Sequence, residues 1–157
     1  MKVKIRKAKK EDIPQIIAMI KELATYERAS QEVTVTARDL EKDGFGNKPV
    51  FEVLLAFQGK EVAGMAFFYI SYSTWKGKCL YLEDIIVKEQ FRRHQIGHAL
   101  FAEVIKKAKK IEAKRLHWQV LNWNEPAINF YKKYSADIDA NWLNGKLTEN
   151  QLKDLNI

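Results

Sequence analysis

The stretch that most limits how this chain can fold is an apolar strand, a basic turn and an amphipathic helix in direct succession. Cys79 to Val87 reads as a strand with a strongly apolar end, and Lys88-Glu89-Gln90-Phe91-Arg92-Arg93-His94-Gln95 follows as the turn. From Ile96 the period changes, with Ile96, Ala99, Leu100, Val104, Ile105 and Ala108 recurring at helical spacing. A helix start leaves backbone N–H groups unpartnered and carries partial positive charge, so the Ile96 end can hold a diphosphate. Gly97 removes a side chain where a ligand would approach the backbone, and Arg92 and Arg93 offer forked, charged donors. The turn is neither a GxxxxGKS/T P-loop nor a GxGxxG fingerprint, which weakens nucleotide hydrolysis and hydride transfer as functions.

Around this unit the hydrophobic period alternates between two and 3.6. Val3 and Ile5 alternate with charged neighbours as a first strand, and Asp12 with Gln15 reads as a capping box before Pro14 and the stripe Ile13, Ile16, Ile17, Ile20, Leu23 and Ala24. Thr36 and Asp39 open a short helix that Asp43-Gly44-Phe45-Gly46 ends. Val50–Phe57 and Val62–Tyr72 read as strands joined at Gln58-Gly59-Lys60. Leu116–Leu121 reads as a further strand, and Asn124-Glu125-Pro126 opens a helix through Tyr134. In the tail the pattern predicts a strand at Ile138–Leu143, a turn at Asn144-Gly145 and a helix capped by Thr148 and Gln151. The expectation is one α/β (α+β) domain over residues 1–157, with a central mixed, mostly antiparallel sheet flanked by helices.

Composition narrows the partners. The 27 basic and 20 acidic side chains leave a formal charge of +7, which favours polyanions, a phosphate-bearing cofactor among them. The basic residues gather at Lys2, Lys4, Arg6, Lys7, Lys9 and Lys10 and again at Lys106, Lys107, Lys109, Lys110, Lys114 and Arg115, where charge on a helix ordinarily faces water. A cationic substrate would be repelled by this balance and would need local acidic groups. The single cysteine, Cys79, excludes an intramolecular disulfide and suits a reducing compartment. No apolar run reaches the roughly eighteen residues of a membrane span, and the charged start MKVKIRKAKKED lacks the apolar stretch of a signal peptide. A cytoplasmic protein with no membrane partner is expected.

Glu83 and Asp84 stand inside an otherwise apolar strand, where unpaired carboxylates are costly, and this favours a chemical role. Strict alternation would send them to opposite faces unless a bulge intervenes. His94 and His98 are four apart, but a metal centre needs more ligands of the right type and none is expected; His117 reads as a packed or hydrogen-bonded residue. Cys79 reads as a small core residue.

The co-ordered motifs resemble the GNAT superfamily of N-acetyltransferases, and within it the diamine acetyltransferases, both the spermidine/spermine enzymes and the thialysine-acetylating branch. The residues that carry this are Ile20-Lys21-Glu22-Leu23-Ala24 with Tyr26-Glu27, Asp43-Gly44-Phe45-Gly46, Tyr72-Ser73-Thr74-Trp75-Lys76-Gly77, Leu80-Tyr81-Leu82-Glu83-Asp84-Ile85, and Trp123-Asn124-Glu125-Pro126-Ala127-Ile128-Asn129-Phe130-Tyr131-Lys132. The resemblance implies splayed fourth and fifth strands, acetyl-CoA as co-substrate and a homodimer. It implies Ile85, Ile86 and Val87 against the pantetheine, and Arg92, Arg93, His94, Gln95, Ile96 and Gly97 around the pyrophosphate. Asn124 would lie near the reactive end, and Tyr131 would protonate the departing thiolate. Glu83 would take the amine proton, directly or through water, while Tyr26, Glu27, Trp75, Glu83 and Asp84 would hold a small amine. The family pattern Arg/Gln-x-x-Gly-x-Gly/Ala is departed from at Gln95, and the acidic residue of the spermidine enzymes is replaced by Ser73. Two other readings stay open on the sequence, acetylation of a protein or peptide amine and, outside catalysis, a nucleic-acid-binding module, although the expectation is no nucleic-acid partner.

Overall fold

Five strands form one sheet in the order β1-β2-β3-β4-β5, antiparallel except for the last pair, which is parallel. They are β1 (Val3–Lys7), β2 (Glu52–Gln58), β3 (Glu61–Ser73), β4 (Gly77–Val87) and β5 (Leu116–His117). These come from a computed structural model that describes residues 3–155, so Lys2 of the first basic group lies outside the described residues. The chain clusters into two compact units, one ending at Gln119 and one starting at Val120.

In the first unit, helices α1 (Ile13–Tyr26) and α2 (Ala37–Phe45) cover one face of the sheet. Ile13, Ile16 and Met19 of α1 and Leu40 of α2 pack with Val53, Leu55, Met65 and Ile86. The opposite face carries α3 (Ile96–Lys110), which buries Ile96, Leu100, Phe101, Val104 and Ala108. Gly64 sets how closely α3 approaches: a Cβ there would stand 2.8 Å from the Ile86 carbonyl, 3.0 Å from Leu100 and 3.4 Å from Ile96. Because Gly64 pairs with Val87, this contact locates the start of α3 beside the end of β4. Cys79 is fully buried in the sheet, with its Sγ donating to the Gly77 carbonyl at 3.4 Å. The second unit holds α4 (Glu125–Lys132), with a proline in its first turn, and α5 (Glu149–Asp154).

Three expectations give way. Asp12 does not cap α1 with its side chain; its carboxylate takes both nitrogens of Arg6, at 2.6 and 2.9 Å, and the Lys9 N–H at 2.7 Å, closing a 3-10 turn at Lys10–Asp12. A bidentate guanidinium outcompetes a cap for the same oxygens. The strand expected at Leu116–Leu121 is a ladder only at Leu116–His117, opposite Leu80 and Tyr81, and it ends just before the β4 bulge at Glu83, which disrupts regular pairing. The strand expected at Ile138–Leu143 is absent among the described residues. There the Asn141 N–H bonds the Asp139 carboxylate at 2.8 Å, a local turn that competes with extended pairing. By contrast, the Thr36–Asp39 and Thr148–Gln151 capping boxes both form.

Gly64→Ala is expected to lower unfolding stability by roughly 1–3 kcal/mol, since the added methyl meets a backbone carbonyl that cannot rotate away. Chemical denaturation checks it; an unchanged midpoint would show that α3 is free to shift.

Candidate active site

The bulge in β4 gathers the acidic groups. Phe67 pairs with Asp84 and Phe68 with Leu82, which leaves Glu83 as an extra residue on β4. Two consecutive side chains of a bulged strand can share one face. Here Asp84 lies opposite Phe67, which packs on the α1 side, while Glu83 accepts a hydrogen bond from the Tyr69 hydroxyl. Burial pushes the Asp84 carboxyl up to about 7, with further upward contributions from the charges of Glu83 and of Glu27 at the end of α1. Burial also raises Glu27. Three carboxyl groups from α1 and β4 thus influence one another in a half-buried space. Tyr81, stacked on Tyr69 with centroids 5.1 Å apart, is pushed up to about 12, first by burial and then by Glu83.

Beyond Tyr81, β4 has no ladder partner on the β5 side among the described residues, since the pairs are only Leu80 with Leu116 and Tyr81 with His117. That edge of β4, from Leu82 to Val87, carries no strand among the described residues, so a ligand with amides of its own can pair there, the Val87 carbonyl excepted because Arg92 bonds it. The side chain of Ile86 is buried in the core and that of Ile96, the first residue of α3, is buried beside Gly64, so those two can meet a ligand only through backbone.

After β4 comes a 3-10 turn at Glu89–Phe91, then two residues in the left-handed region, Arg93 at φ 64° and Gln95 at φ 62°, before α3 begins. Arg92 donates from Nε to the Val87 carbonyl at 3.2 Å and lies over the ring of Tyr26, 5.3 Å from its centroid. Arg92, Arg93, His94 and Gln95 are exposed. Gln95 keeps the left-handed backbone that the glycine of the family pattern would adopt without cost, so the departure leaves the loop's backbone path in place.

Not every expected residue joins this space. Tyr26 and Glu27 do, from the end of α1. Trp75 does not: it sits 81% exposed in the β3–β4 turn, where Ser73 Oγ accepts from the N–H groups of Trp75 and Lys76 at 3.3 and 3.2 Å. Gly77 and Asp84 mark the two ends of this separation, seven strand steps apart or about 23 Å at the usual rise. In the second unit Asn124 caps α4, its Oδ1 accepting from the Ala127 N–H at 3.3 Å, and Tyr131 is buried on α4 with its ring edge against Phe130. His117 bonds Ser71 Oγ at 2.9 Å, as a structural histidine would. Sequence reasoning missed Tyr69 and Tyr81, whose signal was the paired aromatic positions flanking the Glu-Asp doublet.

Residues 15–135 match the Acetyltransferase (GNAT) family. The chain belongs to the GNAT acetyltransferase family. As an N-acetyltransferase of this family it uses acetyl-CoA as co-substrate, and the unpaired β4 edge beside the α3 start suits that ligand's amide-bearing arm and diphosphate. It is similar to the thialysine N-epsilon-acetyltransferase of Bos taurus, 39% identical over 142 residues, covering 85% of this chain and 84% of that one. The Caenorhabditis elegans protein of the same name is 43% identical over 117 residues, covering 74% and 72%. Among solved structures, an integron cassette protein from V. cholerae superposes with a TM-score of 0.78 at 23% identity, over 98% of this chain and 96% of that one, which supports the fold.

Two outcomes follow from the site's electrostatics and backbone. Between its ordinary value of 3.8 and about 7, Asp84 keeps in the native state a proton that the unfolded chain has released, so it makes stability fall as pH rises through that window. Asp84→Asn should therefore leave stability unchanged near pH 3.5 and raise it by on the order of 1–2 kcal/mol above pH 7, allowing for solvent screening. Thermal melts across pH check this, and a gain independent of pH would refute the cause given. Gln95→Gly should add about 0.5–1 kcal/mol by relieving the left-handed backbone. Calorimetric titration should show acetyl-CoA binding at least as tightly, whereas weaker binding would mean the Gln95 side chain itself holds the ligand.

Proposed function

We propose that this acetyltransferase acetylates the primary amine of a small cationic acceptor, a thialysine-like amino acid, a diamine or a polyamine, by direct attack on the thioester. The observation that carries this reading is the meeting of Glu27, Glu83 and Asp84 beside the unpaired edge of β4, in a chain whose net charge is otherwise +7. An ammonium has no lone pair, and alkyl amines hold their proton to about pH 10, so a carboxylate must bind the cation and accept the proton. Glu83, exposed on the bulge, takes the proton, directly or through one water; Asp84 and Glu27 hold the cation beside Tyr26, whose ring also carries Arg92. Backbone N–H groups around Ile85 polarise the thioester carbonyl, and Ile85, Ile86 and Val87 pair with the pantetheine amides. The turn from Arg92 to Gly97 holds the diphosphate.

Tyr131 is assigned as the acid for the departing thiolate, and Asn124 as a contact near the thioester, on the sequence Asn124-Glu125-Pro126 through Tyr131. A phenol near pKa 10 beside a thiol near 8.5 delivers its proton as the thiolate leaves. We read residues 1–157 as one N-acetyltransferase domain, because the family match runs without a break across Val120. We also propose a homodimer. Ile70, Tyr72 and Trp75 are exposed on one end of the β3–β4 hairpin, and Trp75 can wall an acceptor site only in a second copy. The buried Cys79 thiol fits the reducing cytoplasm, which fractionation of cells would check.

The test is an acetyl-CoA consumption assay over thialysine, lysine-like amines, diamines, polyamines and peptides, with sedimentation at assay concentration. Small cationic amines should turn over, and Glu83→Gln and Tyr131→Phe should each lower kcat roughly a hundredfold. Turnover of peptides alone, or a monomer at full rate, would overturn the acceptor or dimer reading. Full rate in both variants across pH would overturn the two roles.

A further inference from the structure

Glu83 is the one residue of the β4 bulge without a partner in the β3 register, so the ladder does not fix it as it fixes its neighbours. A base that must meet a proton within hydrogen-bond reach needs its carboxylate held by something else. Four side chains on one face of the sheet supply a connected support. Tyr69 on β3 donates to Glu83; its ring stacks on Tyr81 of β4, centroids 5.1 Å apart with planes at 29°. Tyr81 meets the ring of His117 on β5 edge to face at 4.8 Å, and His117 Nε2 bonds Ser71 Oγ, two residues on from Tyr69, at 2.9 Å. The support therefore starts and ends on β3 after crossing three strands, and aromatic pairs at these distances hold orientation as well as bury area.

We infer that Tyr69 is a positioning residue for Glu83, its hydroxyl orienting the carboxylate and the Tyr81–His117–Ser71 chain holding that hydroxyl in place. This rests on Glu83 being the base proposed above. In the reaction the N–H bond of the acceptor amine breaks and an O–H bond forms on Glu83; the Tyr69 O–H bond is never broken. Burial raises both tyrosines and lowers His117, so the phenols keep their protons and the imidazole is neutral at physiological pH, as a support without its own charge change requires.

The experiment is steady-state kinetics on the full chain with a turned-over amine, for Tyr69→Phe, Glu83→Gln, their double variant, Tyr81→Phe and Tyr81→Leu. Tyr69→Phe should lower kcat on the order of tenfold, the loss of one hydrogen bond to a charged group, with KM for acetyl-CoA and the melting temperature unchanged. The double variant should be no slower than Glu83→Gln, because the hydroxyl acts only through that carboxylate. Tyr81→Phe should keep the rate and Tyr81→Leu should lower it by no more than the roughly tenfold of Tyr69→Phe, since the ring and not its hydroxyl holds Tyr69. Full kcat in Tyr69→Phe, or a further tenfold loss in the double variant, would overturn the positioning role while leaving the base in place. Full kcat in Glu83→Gln would overturn the base reading itself, and a loss in both Tyr81 variants would place the effect in the Tyr81 hydroxyl instead.

Discussion

The pairing of β4 is lopsided, and the site follows from that. On one side β4 is laddered to β3 from Gly77 to Val87, Glu83 excepted; on the other, among the described residues, it meets β5 at two residues. An edge of unpaired N–H and C=O groups ordinarily invites another strand. Here the exposed run is short, it ends at a helix start, and acidic side chains crowd its face, so an amide-bearing arm tipped with a diphosphate suits it better than a strand does. Gly64 permits the arrangement, because its missing side chain lets α3 sit close enough for its first turn to flank the end of β4.

Net charge and local charge point in opposite directions, and the difference in screening between exposed and half-buried groups resolves the conflict. Charges separated by more than about 10 Å at ordinary ionic strength are largely screened, whereas Glu27, Glu83 and Asp84 act within a half-buried space. The basic excess is spread over surfaces such as the last turn of α3, where Lys107 is tied to Glu52 at 2.6 Å and Lys106 to Glu103 at 2.6 Å. A cationic acceptor entering the acidic space lowers the energy of an ionised Asp84 that burial had made costly, so acceptor binding and proton release are linked at that residue.

Much of this was legible from period and capping alone. The stripes of α1 and α3, the two capping boxes with threonine, and the strand–turn–helix unit around Arg92 are local patterns, and local patterns survive folding. What failed had met a competing partner, local at Ile138–Leu143, where Asn141 bonds Asp139, and elsewhere from other elements. Asp12 looked like a cap until Arg6 claimed its oxygens, and Leu116–Leu121 looked like a strand until its partner bulged away. Met19 and Phe101 belong to the core although neither was part of the expected stripes. Placing Trp75 beside Glu83 came from motif order, which does not count the rise along β4. The Glu-Asp doublet did carry the bulge in outline, since two adjacent acids in an apolar strand cannot both be comfortable under strict alternation.

Adjacent carboxylates in one site can do different work only if their surroundings differ. The bulge is what makes them differ here. Glu83, pushed out of the ladder, is exposed to solvent beside the Tyr69 phenol, where the proposed reaction requires a base. Asp84, still paired with Phe67 and turned toward the α1 side, is held up near 7 by burial and by its acidic neighbours, so its charge depends on what fills the space. A regular ladder through Glu83 and Asp84 would instead send the two side chains to opposite faces and separate the two carboxylates that the bulge brings together.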